Sequence, residues 1–598
     1  MYCDDEYEIY KKKYIKNIKV ELEDLQFQLQ QQKQQQKQLQ AQLQRQEQNQ
    51  AQTQNDTDTI SNVGNPTINI NVDNCSERKE ARKKHYREQD DCCSDYTKDE
   101  KKHHKKHNDS CCNYISLERQ VNNSANDVTN FPRITQSETS LAHFKNFILY
   151  GFNDSNNSPP SFSGFAFSND LGNTWTDGGF IPVNPGGINA GDPVITVDRN
   201  GVFYYGQIGT ENIPGRRQDV ISVSTGTINP NGAITMNRPQ IVGRGQNPPA
   251  MDNPNTFLQD KEWITVGPDA NNPGNEALYI TWTDFTTPTP SILFSKYTTG
   301  VNLAPIITDQ VIIPPAANTF VSGSFVLVDN LGGIYVFYEE ITDPNPADMI
   351  RPQNYLNTPN RTIRMVKSVD GGNTFPIRVA VSNPFAAAAT DTALCDRPSI
   401  GVDNVRRIRM NEFPQAAIGP DGTLYVVWNA GRVIGGTTFI DIFLAYSTDK
   451  GNTWNIVDIT PSNSTFTFFP SVAANKNGAH IQYNRFNDRG GTLAGIGDGT
   501  FAVFLKSFSL CDGLSKEKMV STAFSPVPVT HPSPDTADCY MGDYNQIITG
   551  PGNCLLHSWG DNRDVIIQGA IQRDNPNVFF NITVPKKKDH NCGCDYVR

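Results

Sequence analysis

The sequence lacks the segments that would place it in a membrane or mark it for classical export. It contains no uninterrupted apolar run of about 18 residues, the length that a spanning helix needs. Its first residues, MYCDDEYEIYKKKY, include no apolar stretch of the kind found in secretory signals. The net charge of −11 argues against a basic surface for nucleic acid. We therefore expect neither a membrane span nor a nucleic-acid partner.

Motifs of cofactor and nucleophile chemistry are also missing. The sequence has no phosphate-binding P-loop and no G-x-G-x-x-G after a strand. No G-x-S-x-G elbow is present, so a Ser-His-Asp hydrolase has no support. The basic run from Lys101 to His107 lies between the adjacent pairs Cys92-Cys93 and Cys111-Cys112, which match zinc-site spacing poorly. An intermolecular disulfide or a solvated spacer is the better interpretation, and we expect no metal and no cofactor.

Helix-period runs are scarce after residue 135, where short strands and turns repeat instead. Seven apolar strands each end in an aromatic residue, and most follow a turn rich in Gly or Asp. The aromatic residues are Phe152, Tyr205, Trp282, Tyr338, Trp428, Tyr483 and Trp559. A period of roughly 50–90 residues with turn punctuation is typical of radial β repetition. The sequence predicts an all-β, seven-bladed propeller over residues 136–580.

A second pattern, Ser-x-Asp-x-Gly-x-Thr-aromatic, lies downstream of three of these strands. The Asp can accept backbone N–H bonds, the Gly can take a positive φ, and the aromatic ring can cover the hairpin. The matching residues are Ser168, Asp170, Gly172 and Trp175; Ser368, Asp370, Gly372 and Phe375; and Ser447, Asp449, Gly451 and Trp454. We expect these residues to specify turns rather than chemistry.

The pattern resembles the Asp-boxes, or BNR repeats, of the sialidase family. The resemblance implies a fold-stabilising turn on the rim of a propeller, away from the ligand face. Sialidases have six blades, so a six-bladed fold is the alternative to the seven counted here. In sialidases three arginines clamp a carboxylate, a tyrosine paired with a glutamate is the nucleophile, and an aspartic acid is the acid/base.

The catalytic residues of that family map poorly onto this sequence. FPRI, with Arg133, stands where the family has Phe/Tyr-Arg-Ile-Pro, in a scrambled order. The remaining candidates are Tyr483, Tyr540 and Tyr544 as nucleophile, and Glu340 and Glu412 as its partner. We therefore expect no sialidase activity. The alternative is an exo-α-sialidase or a related glycoside hydrolase.

Loops that follow the repeated aromatic strands are expected to gather at one end of the central channel. The residue two positions beyond each aromatic is mostly polar, which predicts a ligand channel. Its predicted residues are Asp154, Gln207, Asp284, Glu340, Arg485 and Asp561. Acids with an arginine can bind a sugar or a cation, or can line a water-filled mouth.

The first 135 residues are of a different composition. Residues 1–50 are Gln-rich and carry a heptad series, Ile15, Ile18, Leu22, Leu25 and Leu29, which predicts a coiled coil that joins chains. Residues 51–135 read as a disordered linker with a short strand and a charged Cys/His-rich run, and residues 581–598 as a cysteine-containing tail. We expect a homo-oligomer.

The cysteines favour cross-linking between chains. Of the 12 cysteines, those outside the predicted propeller are Cys3, Cys75, Cys92, Cys93, Cys111, Cys112, Cys592 and Cys594. Cysteines on flexible ends contribute little to a core and more plausibly join chains. Such tails resemble those of spore coat and exosporium proteins. We expect a structural or glycan-binding protein of a cell or spore surface; a virion surface or non-classical secretion is the alternative.

Overall fold

The computed structural model describes residues 118–584 apart from 215, 247–257, 288, 343–358, 390–394, 396–397, 402–405, 435–436, 461–465, 488–498, 528–535 and 537–538. This part of the chain is built almost entirely of antiparallel strands. The predicted coiled coil, most of the linker and most of the cysteine-containing tail lie outside the described residues.

The chain enters through a short strand and a short helix and then forms three sheets. The entry elements are β1 (Arg119–Gln120) and α1 (Ala125–Asn130). Blade 1 contains β2 (Gln136–Phe144), β3 (Phe147–Asp154), β4 (Ser163–Ser168) and β5 (Thr176–Phe180). Blade 2 contains β6 (Ile188–Val197), β7 (Phe203–Ile213), β8 (Arg216–Ile228), β9 (Ile234–Met236) and β10 (Gln240–Gly243). Blade 3 contains β11 (Gln259–Pro268), β12 (Glu276–Asp284), β13 (Ser291–Thr298) and β14 (Pro305–Ile313).

Four more sheets and one inserted hairpin follow. Blade 4 contains β15 (Thr319–Val328), β16 (Ile334–Thr342), β17 (Arg361–Ser368) and β18 (Ile377–Ala380). The inserted hairpin is β19 (Ser399–Gly401) with β20 (Arg407–Arg409). Blade 5 contains β21 (Gln415–Ile418), β22 (Leu424–Ile434), β23 (Thr437–Ser447) and β24 (Asn455–Asp458). Blade 6 contains β25 (Thr467–Asn475), β26 (Gly478–Phe486), β27 (Thr500–Ser509), β28 (Gly513–Leu514), β29 (Lys518–Met519) and β30 (Ser525–Pro526). Blade 7 contains β31 (Gln546–Thr549), β32 (Leu555–Gln568) and β33 (Ile571–Thr583).

The two ends of the described chain close the ring within blade 7. Strand β1 pairs antiparallel with β33, with Arg119 opposite Phe580, and supplies the outermost strand of that blade. The folded unit therefore begins before residue 136, where the sequence analysis drew its boundary. Seven sheets stand around one channel, which confirms the seven-bladed prediction. The six-bladed alternative is wrong.

The repeated aromatic residues of the second strands lie in the core between blades. All seven are buried, with Trp282, Trp428 and Trp559 among the largest fully buried side chains. Apolar residues alternate along each strand and both faces of a blade pack on neighbours, so most positions of the second strands are buried. This burial explains why the aromatic ending of each strand was visible in the sequence.

The three hairpins predicted as Asp-boxes, called the box hairpins below, share one set of hydrogen bonds. In the first, Ser168 Oγ donates to Asp170 Oδ1 at 2.7 Å and accepts from the Gly172 N–H at 2.8 Å. Asp170 also accepts from the Thr174 N–H and hydroxyl, at 2.9 and 2.7 Å. The hairpins at Asp370 and Asp449 repeat these bonds. Each box glycine has a positive φ, between 84° and 97°.

The aromatic residue of each box hairpin packs between blades. Trp175 of blade 1 contacts Phe580 of blade 7 edge to face, with ring centroids 5.1 Å apart. In the other two hairpins, Phe375 contacts Phe294 at 5.1 Å and Trp454 contacts Phe337 at 6.0 Å. Each ring therefore joins its hairpin to the preceding blade, where the sequence analysis expected it to cover its own hairpin.

A disulfide joins two long connections between blades. Cys395, which lies between blades 4 and 5, is bonded to Cys539, which lies between blades 6 and 7, across 144 residues of sequence. The backbone N–H of Arg409, at the end of β20, donates to the Cys539 carbonyl at 3.2 Å. The inserted hairpin is thereby held to the entry of blade 7.

No helix among the described residues has the length and apolarity needed to cross a membrane.

Candidate functional site

Five of the seven inner strands begin with the same irregularity. In β2, β6, β11, β15 and β25 the pairing with the second strand skips two residues, and the first of the two has a positive φ. These residues are Glu138 (49°), Asp192 (58°), Lys261 (53°), Gly323 (67°) and Phe469 (51°). Non-glycine residues in this region carry a strain of order 1 kcal/mol, which the surrounding packing must offset. Bulges of this kind redirect side chains, and these five lie where the inner strands start.

Glu138 and Asp192, on neighbouring blades, form a carboxyl pair at this end. Burial, followed by the charges of Asp192 and Asp543, holds the pKa of Glu138 well above its usual range. Burial also raises the pKa of Asp192, while the hydrogen bond from Glu138 lowers it. Like charges this close do not both ionise readily, so Glu138 keeps the shared proton and donates it towards Asp192. Asp192 is the more exposed member of the pair.

Asn153 and Tyr540 fix the position of this pair. Asn153 Nδ2 donates to Glu138 Oε2 at 2.9 Å and also contacts the Tyr540 hydroxyl. Asn153 Oδ1 accepts from the Asp192 N–H at 2.8 Å. One amide side chain thus holds both bulges, and the Tyr544 hydroxyl donates to the Pro193 carbonyl at 3.0 Å beside them.

Lys261 lies at the next bulge, surrounded by aromatic rings. Its ammonium nitrogen is 4.1 Å from the centroid of Tyr544, 5.2 Å from that of Trp263 and 5.6 Å from that of Phe413. Ring faces of this kind attract a cation through their quadrupole. The residue is only 6% exposed. The ring faces therefore shield the charge from bulk solvent.

Arg409 brings the inserted hairpin onto the same region. Its guanidinium bonds both oxygens of Asp543 at 2.8 and 2.7 Å and lies 4.8 Å from the ring centroid of Tyr540. Arg409 Nη2 is also 3.9 Å from Glu138 Oε1. Bidentate pairs of this type combine strength with a fixed geometry. We call Glu138, Asn153, Asp192, Lys261, Trp263, Arg409, Phe413, Tyr540, Asp543 and Tyr544 together the mouth cluster.

A further buried carboxyl lies below the mouth cluster. Glu262 follows Lys261 and is fully buried, and its carboxyl oxygens have no hydrogen-bond partner in the described part of the chain. Burial, followed by the charge of Asp192, holds its pKa well above the usual range. Burial thus favours the protonated form of Glu262, which adds no negative charge beside Lys261.

The channel beneath the mouth is an open cavity of about 380 Å³. All seven inner strands line it, from Leu141 in β2 to Thr549 in β31. At the mouth end it shares Trp263, Phe325 and Gln415 with a separate cleft of about 10 Å³ beside Lys261. The rings of the mouth cluster therefore stand between the channel and the solvent on that face.

The residues of the predicted ligand channel lie on the same face but one strand farther from the axis. Asp154 is opposite Gln136, Asp284 opposite Gln259, and Glu340 opposite Val321, at the starts of the inner strands. Most are engaged within their own blade: Asp284 accepts from Gln259, Glu340 binds Arg364 and Arg378, and Gln207 donates to Ser222. Arg485 pairs with Glu517 and Asp561 with Arg563. That these six residues form one ligand site stays a prediction.

Asp154 has an unusual environment of its own. Its Oδ1 accepts from Gln136 Nε2, from the Asn156 N–H and from Asn156 Nδ2, at 3.1, 3.0 and 2.9 Å. Burial outweighs these bonds and raises the pKa of Asp154 to about 7. The carboxyl group is therefore partly protonated near neutrality.

Two of the catalytic candidates lie in the mouth cluster. Tyr540 and Tyr544 belong to it, whereas Tyr483 donates to Glu517 within blade 6. Arg133 is exposed after α1. Glu412 is buried with Glu339 around Arg361, at 3.3 and 3.5 Å from its Nε. The structure thus brings together the two tyrosines but separates them from the other candidates.

Sequence reasoning missed Glu138, Asp192, Lys261 and Arg409. A signal for the first three was present, since a polar or glycine residue precedes the apolar run within most of these strands, as in GDPVI, DKEWI and SGSFV. The prediction used only the second strands, so it did not include these residues of the inner strands. Arg409 has no local signal, because it acts from an insertion between blades.

Among the described residues, no group of three or more His, Cys, Asp or Glu side chains could hold a metal ion.

No protein-family model matches this sequence, and no curated protein matches it either. Solved propeller structures are similar in outline. An α-L-arabinofuranosidase from Fusarium graminearum with an iminosugar inhibitor is 12% identical, with 78% of this chain and 97% of that chain covered and a TM-score of 0.35. A Penicillium chrysogenum α-L-arabinanase complexed with arabinobiose is 13% identical, covers 79% and 98%, and has a TM-score of 0.38. An ulvan lyase is 9% identical, covers 77% and 92%, and has a TM-score of 0.39. Likeness at this level carries no inference about ligand.

Proposed function

We propose that this protein binds carbohydrate at the mouth of its central channel. The mouth cluster is the observation that supports the proposal. It combines aromatic rings, which pack on the apolar faces of sugars, with carboxyl, amide and ammonium groups, which pair with hydroxyls. Asp192 and Lys261 lie on adjacent blades. One sugar hydroxyl can therefore donate a hydrogen bond to Asp192 while a second hydroxyl accepts one from Lys261.

Preorganisation supports binding rather than a purely structural role. Two non-glycine bulge residues with opposite charge, Asp192 and Lys261, are held at positive φ at the same end of the channel. Strained backbone of this kind persists only where the surrounding structure imposes it, and it often marks ligand sites. If these residues only closed the end of the channel, glycine would adopt the same positive φ without the strain.

The arrangement of arginines favours a binding protein over a sialidase. Sialidase chemistry requires three arginines converging on one carboxylate. In the described residues the ion pairs divide the arginines among separate acids: Arg361 with Glu339 and Glu412, Arg364 and Arg378 with Glu340, Arg409 with Asp543, Arg432 with Asp441 and Asp458, Arg485 with Glu517, and Arg563 with Asp561 and Glu118. Only Arg409 belongs to the mouth cluster.

Glycoside hydrolysis is the second candidate, favoured by the carboxyl pair. A protonated Glu138 is a competent general acid only after its hydrogen bond to Asp192 is exchanged for one to a leaving-group oxygen, because catalytic carboxyls flank a glycosidic bond about 5 Å or more apart. Release of reducing sugar that Glu138→Gln abolishes would favour this candidate. Binding without release would favour the first.

Surface display on an oligomeric stalk completes the proposal. Its supports are the heptads and terminal cysteines of the sequence, together with the Cys395–Cys539 disulfide, since such bonds persist in oxidising surroundings. Light scattering in reductant, with and without residues 1–60, tests the stalk. An unchanged number of chains per particle after deletion would contradict it.

The binding proposal is tested with a panel of immobilised oligosaccharides. We expect at least one to bind, and Asp192→Asn to weaken it tenfold or more, or about 1.4 kcal/mol. Asp421→Asn is the matched control, because Asp421 accepts from Thr423 in the turn at the opposite end of an inner strand. Absence of any binding, or equal loss in both variants, would refute the proposal.

A further inference from the structure

The small cleft beside Lys261 gathers hydrogen-bond donors that have no acceptor. In the described residues, Lys261 Nζ has no hydrogen bond and no carboxylate oxygen within 4.0 Å, although its side chain is almost wholly buried. Asn411 Nδ2 and Ser324 Oγ line the same cleft, and each is buried without a hydrogen-bond partner. A buried amide or hydroxyl without a hydrogen-bond partner is costly, so Asn411 and Ser324, beside the unpaired ammonium of Lys261, favour a shared acceptor.

The acidic group that the cleft contains is already occupied. Both oxygens of Asp543 accept from Arg409, so that its charge is neutralised. The amide nitrogens of Gln415 and Asn429 donate to the carbonyls of Asn545 and Asn411, at 3.0 Å each. The unfilled requirement of the cleft is therefore for an acceptor, and the charge of Lys261 favours a negative one.

The two other acids near Lys261 do not take this place. The carboxyl oxygens of Glu262 lie beyond ion-pair distance from Lys261 Nζ, and burial favours the protonated form of this group. Asp192 carries the charge of the carboxyl pair, but it lies beyond ion-pair distance from Lys261 Nζ and accepts from Glu138. Lys261 is attracted by Asp192 without being bound by it.

The size of the cleft limits what can enter. Its volume of about 10 Å³ is room for one water-sized group. One oxygen of a larger group fits, while the rest of that group lies above the mouth. Phe413 and Tyr544 then flank the entering oxygen.

We infer that the cleft formed by Lys261, Asn411 and Ser324 receives one oxygen of a carboxylate or sulfate, so that the glycan bound at the mouth is acidic. This inference rests on the proposed function and names its ligand class. Lysine recognises such an anion as a point charge, and the amide and hydroxyl direct two further hydrogen bonds to it.

The test compares matched acidic and neutral probes by calorimetry. Oligogalacturonate is measured against its carboxyl-reduced form, and a sulfated oligosaccharide against its desulfated form. We expect at least one of the two acidic probes to bind at least tenfold more tightly than its neutral counterpart. Lys261→Met should remove the difference, because it should weaken binding of the acidic probe at least tenfold more than binding of the neutral counterpart. The probe with the larger difference identifies the carboxylate or the sulfate as the source.

Two further variants keep the result interpretable. Lys145→Met is the control, because Lys145 is exposed and also lies over a ring, at 4.9 Å from the centroid of Phe144. If Lys261→Met does not fold, Asn411→Asp replaces it, since the added carboxylate should repel the same anion. Inorganic sulfate alone is also titrated, and binding of sulfate without preference for any acidic oligosaccharide would overturn the inference.

The outcomes separate the two proposals. Equal binding of acidic and neutral oligosaccharides, or a preference that survives both Lys261→Met and Asn411→Asp, would overturn the acidic ligand and leave carbohydrate binding standing. Failure of every oligosaccharide to bind would overturn both.

Discussion

The two faces of the propeller are built by different means. On the face of the box hairpins, each turn is made within eight consecutive residues and the same bonds recur in three blades. On the mouth face, side chains from separate blades meet: Asn153 binds Glu138 and Tyr540, and Arg409 binds Asp543 across 134 residues. Local repetition stabilises a fold, whereas a ligand site needs unlike residues at equivalent positions.

The faces also differ in their protonation. Threonine hydroxyl and N–H groups lower the pKa of Asp370 in a box hairpin to about 2. Burial raises the pKa of Glu138, Asp192 and Glu262 at the mouth and that of Asp154 beside it. Asp370 therefore stabilises the fold when it is ionised, whereas Glu138 and Asp154 stabilise it when they are protonated.

The largest expected effect is that of breaking the buried ion pair of the mouth. Arg409→Met leaves Asp543 without its partner, and we expect the free energy of unfolding to fall by about 3–5 kcal/mol. Adding Asp543→Asn should restore part of it. Chemical denaturation of the single and double variants measures both.

The matched control for Arg409 is Arg244→Met. Arg244 also binds a carboxylate through two nitrogens, with Nε 2.7 Å from Glu211 Oε1, but its side chain is 50% exposed. We expect a loss of about 0–1 kcal/mol there, because solvent screens an exposed pair. Similar losses of stability in Arg409→Met and Arg244→Met would mean that the ion pair at the mouth is not stabilised by its burial.

The next prediction concerns the pH dependence of stability. With a folded pKa of about 7 and an unfolded value of 3.8, Asp154 is protonated in the folded chain and ionised in the unfolded chain between these limits. Its contribution to stability is full below pH 4 and is lost as the pH rises to about 7, by at most about 1.4 kcal/mol per pH unit.

Asp154→Asn should remove that contribution to the slope. We expect the variant to lose less stability than the wild type between pH 4 and pH 7, because Asn cannot ionise and still accepts a hydrogen bond. Denaturation curves at one-unit pH intervals measure the difference. Buried His480 and His557, with pKa values lowered by burial to about 4 and about 3, titrate in the opposite direction but equally in both proteins. Parallel curves would show that Asp154 titrates normally.

What the sequence could predict follows the same division between the faces. The seven aromatic endings and the box hairpins were readable because strand alternation and turn chemistry act over a few residues. Lys261 was missed because the prediction used only the second strands, and the positive φ of its two-residue bulge is not visible in the spacing. Arg409 could not be assigned either, since its partner lies across the disulfide-linked connections. The side chains of the second-strand series lie one strand farther from the axis than those that line the cavity, and their part in a ligand site stays a prediction.

The smallest expected effect is that of replacing the aspartate of one box hairpin. Asp370→Ala removes the acceptor of the Thr374 N–H and hydroxyl, and we expect a loss of about 1 kcal/mol at pH 7, by analogy with a lost helix cap. Because hydrogen bonds from the Thr374 hydroxyl and N–H depress the pKa of Asp370, this contribution is present above about pH 4 and disappears as the pH falls towards 2. Asp170→Ala and Asp449→Ala should cost similar amounts, since the three hairpins share their bonds, and oligosaccharide binding at the mouth should not change. Stability losses that differ widely among the three hairpins would show that they are not equivalent. Weakened oligosaccharide binding in any of these variants would show that the two faces are coupled, so that the box hairpins also affect the site.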